Sequence, residues 1–383
     1  MRILHVIIDL KTGGAELMLK RLLAATRDEP GTIHRVVSLR GLGTVGPQLQ
    51  AMGIEVDALG LGGAIDLPLV AARLTARIRR ARPDVVQCWM YHADLVGGLA
   101  ARAAGCRAIL WGVRIADISP EMGVSPTTLV IRRLCARLSR LVPTRIVYVA
   151  ASARGIHERL GYDPAKSVVI PNGYDLPPLP SAAEREAIRA GLGAAPEDVL
   201  IGSAGRFNAQ KDHKSFVAAA AEVAAARPRA RFILCGRDVE PSTTELAEWV
   251  EASGQAGRFS LLGERRDLPR LLPAFDLVAM HSIGEGFPNV VAEAMAAGVP
   301  CAVTDVGDAA LLVADTGLVV PPADPARMAA ALIELIDRGP DARAALGARA
   351  RQRIADEYSL EAIAGRYRRL YSEIAPAATG KTD

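Results

Sequence analysis

The chain has 383 residues, 50% of them hydrophobic, which supplies enough apolar material for two α/β domains of ordinary size. A formal net charge of +4 and a 4% aromatic content argue against a nucleic-acid-steering surface or a base-stacking platform, so no nucleic-acid partner is expected. No apolar run reaches the roughly 18 residues a membrane-spanning helix needs, and Met1–Leu10 is too short for a secretory signal, which makes the cytoplasm the expected compartment.

Residues 2–8 form a β-branched apolar run, the first predicted strand. Lys11-Thr12-Gly13-Gly14-Ala15-Glu16 then opens a helical pattern carried by Leu17, Leu19, Leu22 and Leu23. Strand, double-glycine turn and helix suit a bound phosphate, with Gly14 letting backbone approach a ligand; they equally suit a plain tight turn. Gly41-Leu42-Gly43-Thr44-Val45-Gly46 fits the glycine pattern of a dinucleotide site but reads as a decoy. It trails the second strand, and only about six residues separate it from the third (Ile54-Glu55-Val56), too few for a crossover helix. A dehydrogenase is therefore disfavoured.

Further strands read at Val85–Cys88, Ala108–Trp111, Ile146–Val149 and Val168–Ile170, with helical patterns between them. Such alternation predicts a parallel, doubly wound sheet with ligands outside the carboxyl ends of its strands. At two such ends lie His92, placed to start a helix, and Trp111-Gly112-Val113-Arg114. His92 also fits a capping or core histidine. Arg132, Arg133, Arg137 and Arg140 lie on a helix beside leucines, and Arg73, Arg77, Arg79, Arg80 and Arg82 form a second basic stretch. Each reads as a solvated face or as a contact with an anionic membrane surface.

Pro171-Asn172-Gly173-Tyr174-Asp175 and the prolines at 177, 178 and 180 mark a joint, dividing the chain into a domain over 1–173 and a second over 174–359. The second alternating set has strands at Val199–Gly202, Arg231–Cys235, Phe259–Leu261, Leu277–Met280, Cys301–Thr304 and Leu318–Val320. After its first strand, Gly205-Arg206-Phe207-Asn208-Ala209-Gln210-Lys211 sets a forked guanidinium and a point-charge ammonium before a helix, a pattern that suits phosphates. The loops after Cys235 (Gly236-Arg237-Asp238) and Leu261 (Leu262-Gly263-Glu264-Arg265) are placed to frame a nucleotide base. Cys88, Cys235 and Cys301 fall in predicted strands and read as inert core thiols, and no cysteine spacing indicates a disulfide framework or a zinc site.

The most informative stretch is His281-Ser-Ile-Gly-Glu-Gly-Phe-Pro-Asn-Val-Val-Ala-Glu-Ala-Met-Ala-Ala-Gly-Val-Pro300. Gly284, Gly286 and Pro288 break regular structure between a buried strand and an alanine-rich helix, whose free N–H groups and positive dipole end suit a diphosphate. Glu285 in the loop and Glu293 about one turn into the helix suit hydroxyl groups of a sugar or ribose.

Glu285-Gly286-Phe287-Pro288-Asn289, followed by Glu293-Ala294 and Gly298-Val299-Pro300, resembles the E-x7-E motif of retaining glycosyltransferases of the GT-B fold, in the large family 4 (group 1) type. Gly13-Gly14-Ala15-Glu16, His92, Asn172-Gly173, Arg206 and Lys211 match the family in the same order. The resemblance implies an α/β GT-B architecture: two Rossmann-like, doubly wound domains facing across a cleft, with the helix over 360–375 returning to the first. It further implies transfer of a sugar from a UDP- or GDP-type nucleotide diphosphate sugar to a hydroxyl acceptor, with retained configuration. His92 and Glu285 would be catalytic. Gly14, Arg206, Lys211, Gly286, Phe287, Pro288, Asn289 and Glu293 would bind donor, while Gly13 and Arg114 would meet the acceptor. No Asp-x-Asp metal handle is found, so neither metal nor cofactor is expected, and Arg206, Lys211 and the helix dipole would balance leaving-group charge.

The first domain should read the acceptor, a glycan or lipid-linked molecule, through loops near 112–126 that follow no decodable pattern. Contact with the inner face of the cell membrane would suit such an acceptor. Gly307-Asp308 departs from the glycine pair usual in the family, which leaves that loop's contacts open. The rival readings are a GT-B epimerase or phosphorylase-type enzyme, or an inactive nucleotide-sugar-binding protein.

Overall fold

The computed structural model describes residues 1–115 and 125–376, and the chain divides into two compact units: residues 1–173 completed by the segment from Leu360 onward, and residues 174–359.

The first unit is built on β1 (Arg2–Ile7), β2 (Ile33–Ser38), β3 (Glu55–Ala58), β4 (Val85–Trp89), β5 (Ile109–Val113), β6 (Arg145–Tyr148) and β7 (Ser167–Val169). They form one sheet in the order β3-β2-β1-β4-β5-β6-β7, every pairing parallel. A parallel sheet is covered on both faces, so its central strands need apolar residues at successive positions. Accordingly every residue of β4 and β5 is buried. One expectation is corrected here: a short helix, Gly46–Ala51, does fit between β2 and β3, started by Pro47 in its first turn. Gly43 adopts φ +49 there, and a Cβ on it would overlap the Leu10 backbone, so the glycines of 41–46 pack this loop against the end of β1.

The helices Gly14–Thr26 and Leu360–Ile374 enter one core cluster. The first contributes Met18, Leu19, Leu22 and Leu23, the second Ile363, Ala364, Tyr367, Leu370 and Tyr371. Both sets repeat at helical spacing, which gives each helix a single apolar face toward the sheet. Tyr371 donates its hydroxyl proton to Gln87 Oε1 inside β4, and Tyr367 lies 6.4 Å from Trp89, ring centre to ring centre.

The second unit has β8 (Val199–Ala204), β9 (Ala230–Cys235), β10 (Phe259–Leu261), β11 (Leu277–Met280), β12 (Cys301–Thr304) and β13 (Gly317–Val320), in the parallel order β10-β9-β8-β11-β12-β13. Its core joins Phe216, Val223, Phe232, Leu234, Leu277 and Leu332. Asp276, just before β11, accepts from Arg185, from Arg189 and from the Leu200 N–H, which fixes the amino edge of the sheet. Tyr174 and Ser359, the first and last residues of this unit, form a parallel β-bridge. Cys88, Cys235 and Cys301 are buried free thiols, and burial raises the pKa of each, which keeps them protonated. Among the described residues no helix is long and apolar enough to cross a membrane.

Candidate functional site

In both units the first strand lies at the sheet's centre, with chain connections running outward on either side of it. The carboxyl ends of β1 and β4, and of β8 and β11, are thus the crevices where such sheets take ligands. The residues singled out from the sequence collect at these ends.

In the second unit the loops after β8 and β11 are tied together by a set of polar bonds. Lys211 Nζ is ion-paired with Glu285 Oε1, and Ser282 Oγ donates to the same oxygen at 2.7 Å. The Ile283 N–H donates to the Gln210 carbonyl at 2.9 Å, and Gln210 Nε2 donates back to the Gly284 carbonyl at 2.5 Å. The phosphate lysine and the loop glutamate, read from the sequence as separate contacts, are therefore one partly buried pair, with the two side chains 22% and 14% exposed. An ammonium has three donors and no acceptor. One lies on Glu285, which leaves the others for a ligand. Arg206 is exposed and has no hydrogen bond or ion pair among the described residues.

The helix Asn289–Ala296 starts from Pro288, whose carbonyl accepts from the Val291 and Ala292 N–H groups. Phe287 is buried, stacked on Tyr174 at 6.1 Å and tilted against Tyr358 at 5.7 Å, and the Tyr174 hydroxyl donates to Asn289 Oδ1 at 2.5 Å. Phe287, Pro288 and Asn289 thus anchor the loop through packing and a side-chain bond. Gly286 gives its carbonyl to the Asp308 N–H at 3.0 Å, and Gly307 adopts φ +60 where a Cβ would overlap that carbonyl. The Gly-Asp pair at 307–308 consequently contacts the glutamate loop through backbone. Glu293 sits half-buried in the second turn of the helix.

The loops after β8, β9 and β10 meet around a cavity of about 260 Å³, whose lining includes Arg206, Gly236, Arg237, Glu264, Arg265 and Val290. Gly236 has φ +149, and a Cβ there would overlap the Gly205 carbonyl, so only glycine lets these two loops touch. A larger cavity of about 360 Å³ lies around Phe275, Asp276 and Val299–Pro300, at the amino edge of the strands and away from the ligand-binding end.

In the first unit, His92 lies in the first turn of the helix Tyr91–Ala103, directly after β4. It is half-buried, and burial, with Arg40 adding a smaller effect, holds its imidazole below the ordinary histidine range. The turn that presents it is strained: Met90 has φ 72 and ψ 156, a region otherwise left to glycine. Three bonds enforce that turn. The Met90 N–H donates to the Gly112 carbonyl at 2.8 Å, the Asp94 N–H to the Met90 carbonyl at 2.8 Å, and the Gly112 N–H to Asp94 Oδ1 at 3.0 Å. Neither the strain at Met90 nor the brace at Asp94 is visible in residue spacing.

Gly13 and Gly14 begin the helix after β1, the strand beside β4. A Cβ on Gly14 would meet nothing within 4 Å, leaving its backbone open, whereas one on Gly13 would strike the Glu16 carboxylate. Arg114, expected to meet the acceptor, is also bonded within its own unit. Its guanidinium donates to Asn172 Oδ1, to the Ile170 carbonyl at 3.2 Å and to the Tyr367 hydroxyl at 3.3 Å, with Trp89 5.7 Å away. These bonds make it a strut between β5, the Pro-Asn-Gly turn and the last helix. The loop expected near 112–126 lies largely outside the described residues.

Known proteins agree with this geometry. Residues 12–177 match the Glycosyltransferase Family 4 profile and residues 198–338 that of Glycosyl transferases group 1. The lipopolysaccharide core biosynthesis mannosyltransferase LpsB of Rhizobium meliloti is 28% identical over 338 residues, which is 85% of this chain and 91% of that protein. A D-inositol 3-phosphate glycosyltransferase of Kineococcus radiotolerans is 33% identical over 222 residues, about half of each chain at 53% and 51%. Among solved structures, Anabaena Alr3699/HepE in complex with UDP superposes with a TM-score of 0.84 at 22% identity, covering 97% of this chain and 100% of that one. WaaG, a glycosyltransferase involved in lipopolysaccharide biosynthesis, superposes at 0.69 with 16% identity, covering 99% and 100%. Profile matches across both units, named relatives and a shared two-sheet fold lead to one conclusion: the chain belongs to the group 1 glycosyltransferases of the GT-B fold.

Proposed function

We propose that this glycosyltransferase moves a sugar from a UDP- or GDP-type nucleotide diphosphate sugar to a hydroxyl of a glycan or lipid-linked acceptor, with retained anomeric configuration. The observation that carries the donor half is the convergence, at one end of the second sheet, of unpaired Arg206, the Lys211–Glu285 pair and the start of the helix Asn289–Ala296. The ion pair is neutral as a unit, so the positive field for a diphosphate comes from Arg206, the helix dipole and the remaining ammonium donors. The neighbouring cavity is of a size to take the base, between the loops at 236–238 and 263–265. Negative charge developing on the leaving diphosphate falls where these donors are already fixed, and one such preorganised donor lowers a barrier by about 3–4 kcal/mol.

Gly286, Phe287, Pro288 and Asn289 shape that loop, and Glu285 and Glu293 are assigned to donor hydroxyls. Retention rests on the family resemblance. Glu285, engaged by Lys211 and Ser282, acts in this reading as a hydroxyl holder and forms no covalent glycosyl-enzyme. On the first unit, neutral His92 offers a hydrogen bond to the donor sugar, while Gly14 presents open backbone at the neighbouring strand end, with Gly13 before it assigned to the acceptor.

Membrane contact belongs to the same reading. Val130 and Leu134, one turn apart on the helix Pro126–Leu138, are 51% and 39% exposed beside exposed Arg133 and Arg137, and Arg140 and Leu141, the latter 71% exposed, follow in the turn after that helix. An apolar stripe beside arginines suits the surface of an anionic bilayer. This supports action at the inner face of the cell membrane in polysaccharide or lipid-linked glycan assembly.

The test is thermal stabilisation of the purified protein by a panel of UDP-, GDP- and ADP-sugars, with nucleotide release followed alongside. A ligand bound only by the folded state raises the melting temperature with occupancy. Stabilisation by one donor, lost in Arg206→Ala, is expected. Absence of any response to every donor overturns the function and leaves the fold standing.

A further inference from the structure

His281 ends the buried strand run that leads into the glutamate loop, and its ring is enclosed. It stacks on Phe216 at 4.4 Å between ring centres and 13° between planes, and meets His213 edge-on at 5.2 Å. Its Nδ1 bonds the Lys211 carbonyl, and its Nε2 lies 2.7 Å from Ser203 Oγ on β8. A carbonyl only accepts, so Nδ1 carries the proton, and Nε2 accepts from the serine hydroxyl. The ring is thereby fixed as one neutral tautomer. Burial, more than the neighbouring His213, holds its ionisation near 3.

The carbonyl it holds belongs to the residue at which the chain reverses. Asp212, next in sequence, adopts φ 48 and ψ 50 and caps the helix His213–Ala226 through the Ser215 N–H. Lys211 therefore leaves the backbone at a sharp turn whose orientation is set from below by His281, while its side chain runs above to Glu285. Nothing else in the described contacts joins the Lys211 carbonyl to the sheet.

We propose that His281, braced by Ser203, is the positioning residue for the Lys211 ammonium, holding it where the donor's diphosphate binds without itself touching the donor. The inference rests on the reading of Lys211 as a diphosphate contact. Neutral and enclosed, His281 keeps this role across the whole working pH range.

The test separates phosphate binding from binding of the nucleoside alone. UDP and uridine affinities are measured for the wild type, His281→Asn and His281→Gln, with GDP and guanosine replacing them if the donor panel selects guanine. Asparagine carries an amide donor at the position of Nδ1 and keeps the bond to Lys211. Glutamine reaches toward Ser203 and loses it. His281→Gln is expected to weaken UDP about tenfold or more, leave uridine unchanged and add nothing in a Lys211→Ala background, whereas His281→Asn stays within about threefold of wild type. Equal losses for UDP and uridine, equal behaviour of the two variants, or additivity with Lys211→Ala would overturn the inference. A wild type that binds no nucleoside diphosphate overturns the donor site itself, and the inference falls with it. A loss in Lys211→Ala alone, with both His281 variants indifferent, sinks only the positioning role.

Discussion

Replacing Glu285 with glutamine should move stability, nucleotide affinity and turnover in different directions. The carboxylate accepts from Lys211 and from Ser282, and all three groups are largely shielded, Ser282 to 1% exposure. At a charge separation near 4 Å and an effective dielectric of about 20, the Coulomb attraction is about 4 kcal/mol, most of it offset by the desolvation of both ions. A net loss of about 1–2 kcal/mol follows, since the glutamine oxygen still accepts from Ser282. For a unit of this size that is a fall of about 2–8 °C in melting temperature. The ammonium released from its pair becomes available to phosphate, so UDP should bind the variant more tightly, by up to about tenfold. Sugar transfer should fall by at least about a hundredfold, because the hydroxyl holder has lost its charge. Calorimetry on UDP, a melting scan and a transfer assay read the three quantities. Weaker UDP binding in Glu285→Gln would refute the reasoning, since it would mean that the carboxylate supports the nucleotide rather than competing for Lys211.

Other outcomes follow from single features. Tyr371→Phe leaves Gln87 Oε1 without its donor beside a Gln87 Nε2 that already lacks a partner, and should cost about 1–3 kcal/mol in chemical denaturation. Burial raises the Asp94 carboxyl to about 7 in the folded chain, against about 3.9 unfolded. The folded state holds that proton longer, so Asp94 stabilises at low pH and the benefit is lost as pH rises from about 4 through 7. The stability difference between wild type and Asp94→Asn should drift toward the variant across that window, by an amount on the order of 2–4 kcal/mol, and a pH-independent difference would contradict this. Activity should survive EDTA, and a loss restored by magnesium or manganese would show that Arg206 and Lys211 do not suffice for the leaving group. Cosedimentation with anionic vesicles should exceed that with zwitterionic ones and fall in a Val130→Glu, Leu134→Glu variant.

Much of this architecture is legible in residue order because a parallel sheet writes itself plainly. Strands of a parallel sheet become short apolar runs, most of them rich in β-branched residues, and the thirteen strands among the described residues overlap such runs. The positions of the loops were legible for a different reason: glycines and prolines between a strand-like run and a helical pattern mark a turn at the strand's carboxyl end. What escaped is pairing. Spacing gives Lys211 and Glu285 separate roles because they stand 74 positions apart, and only the β8–β11 adjacency makes them one ion pair. Arg114 follows a strand end, and its bonds to Asn172 and Tyr367, which arrive from distant segments, cannot be read from spacing. His281 opens the glutamate-loop stretch and Ser203 sits in β8, yet neither stretch reveals the bond between them. They could be suspected only as polar residues in or beside apolar strands, where an unpartnered hydroxyl or imidazole would be costly.

The returning helix Leu360–Ile374 has a consequence for biosynthesis. On the ribosome, residues 1–173 emerge before the second unit, but Tyr367 and Tyr371, which close their core against Trp89 and Gln87, emerge only after it. The second unit is one uninterrupted stretch, bridged at its ends by Tyr174 and Ser359, and is complete before the first. The usual vectorial order, in which the amino-terminal domain matures first, is therefore reversed. Until the helix Leu360–Ile374 leaves the exit tunnel, the nascent chain carries an unfinished apolar face.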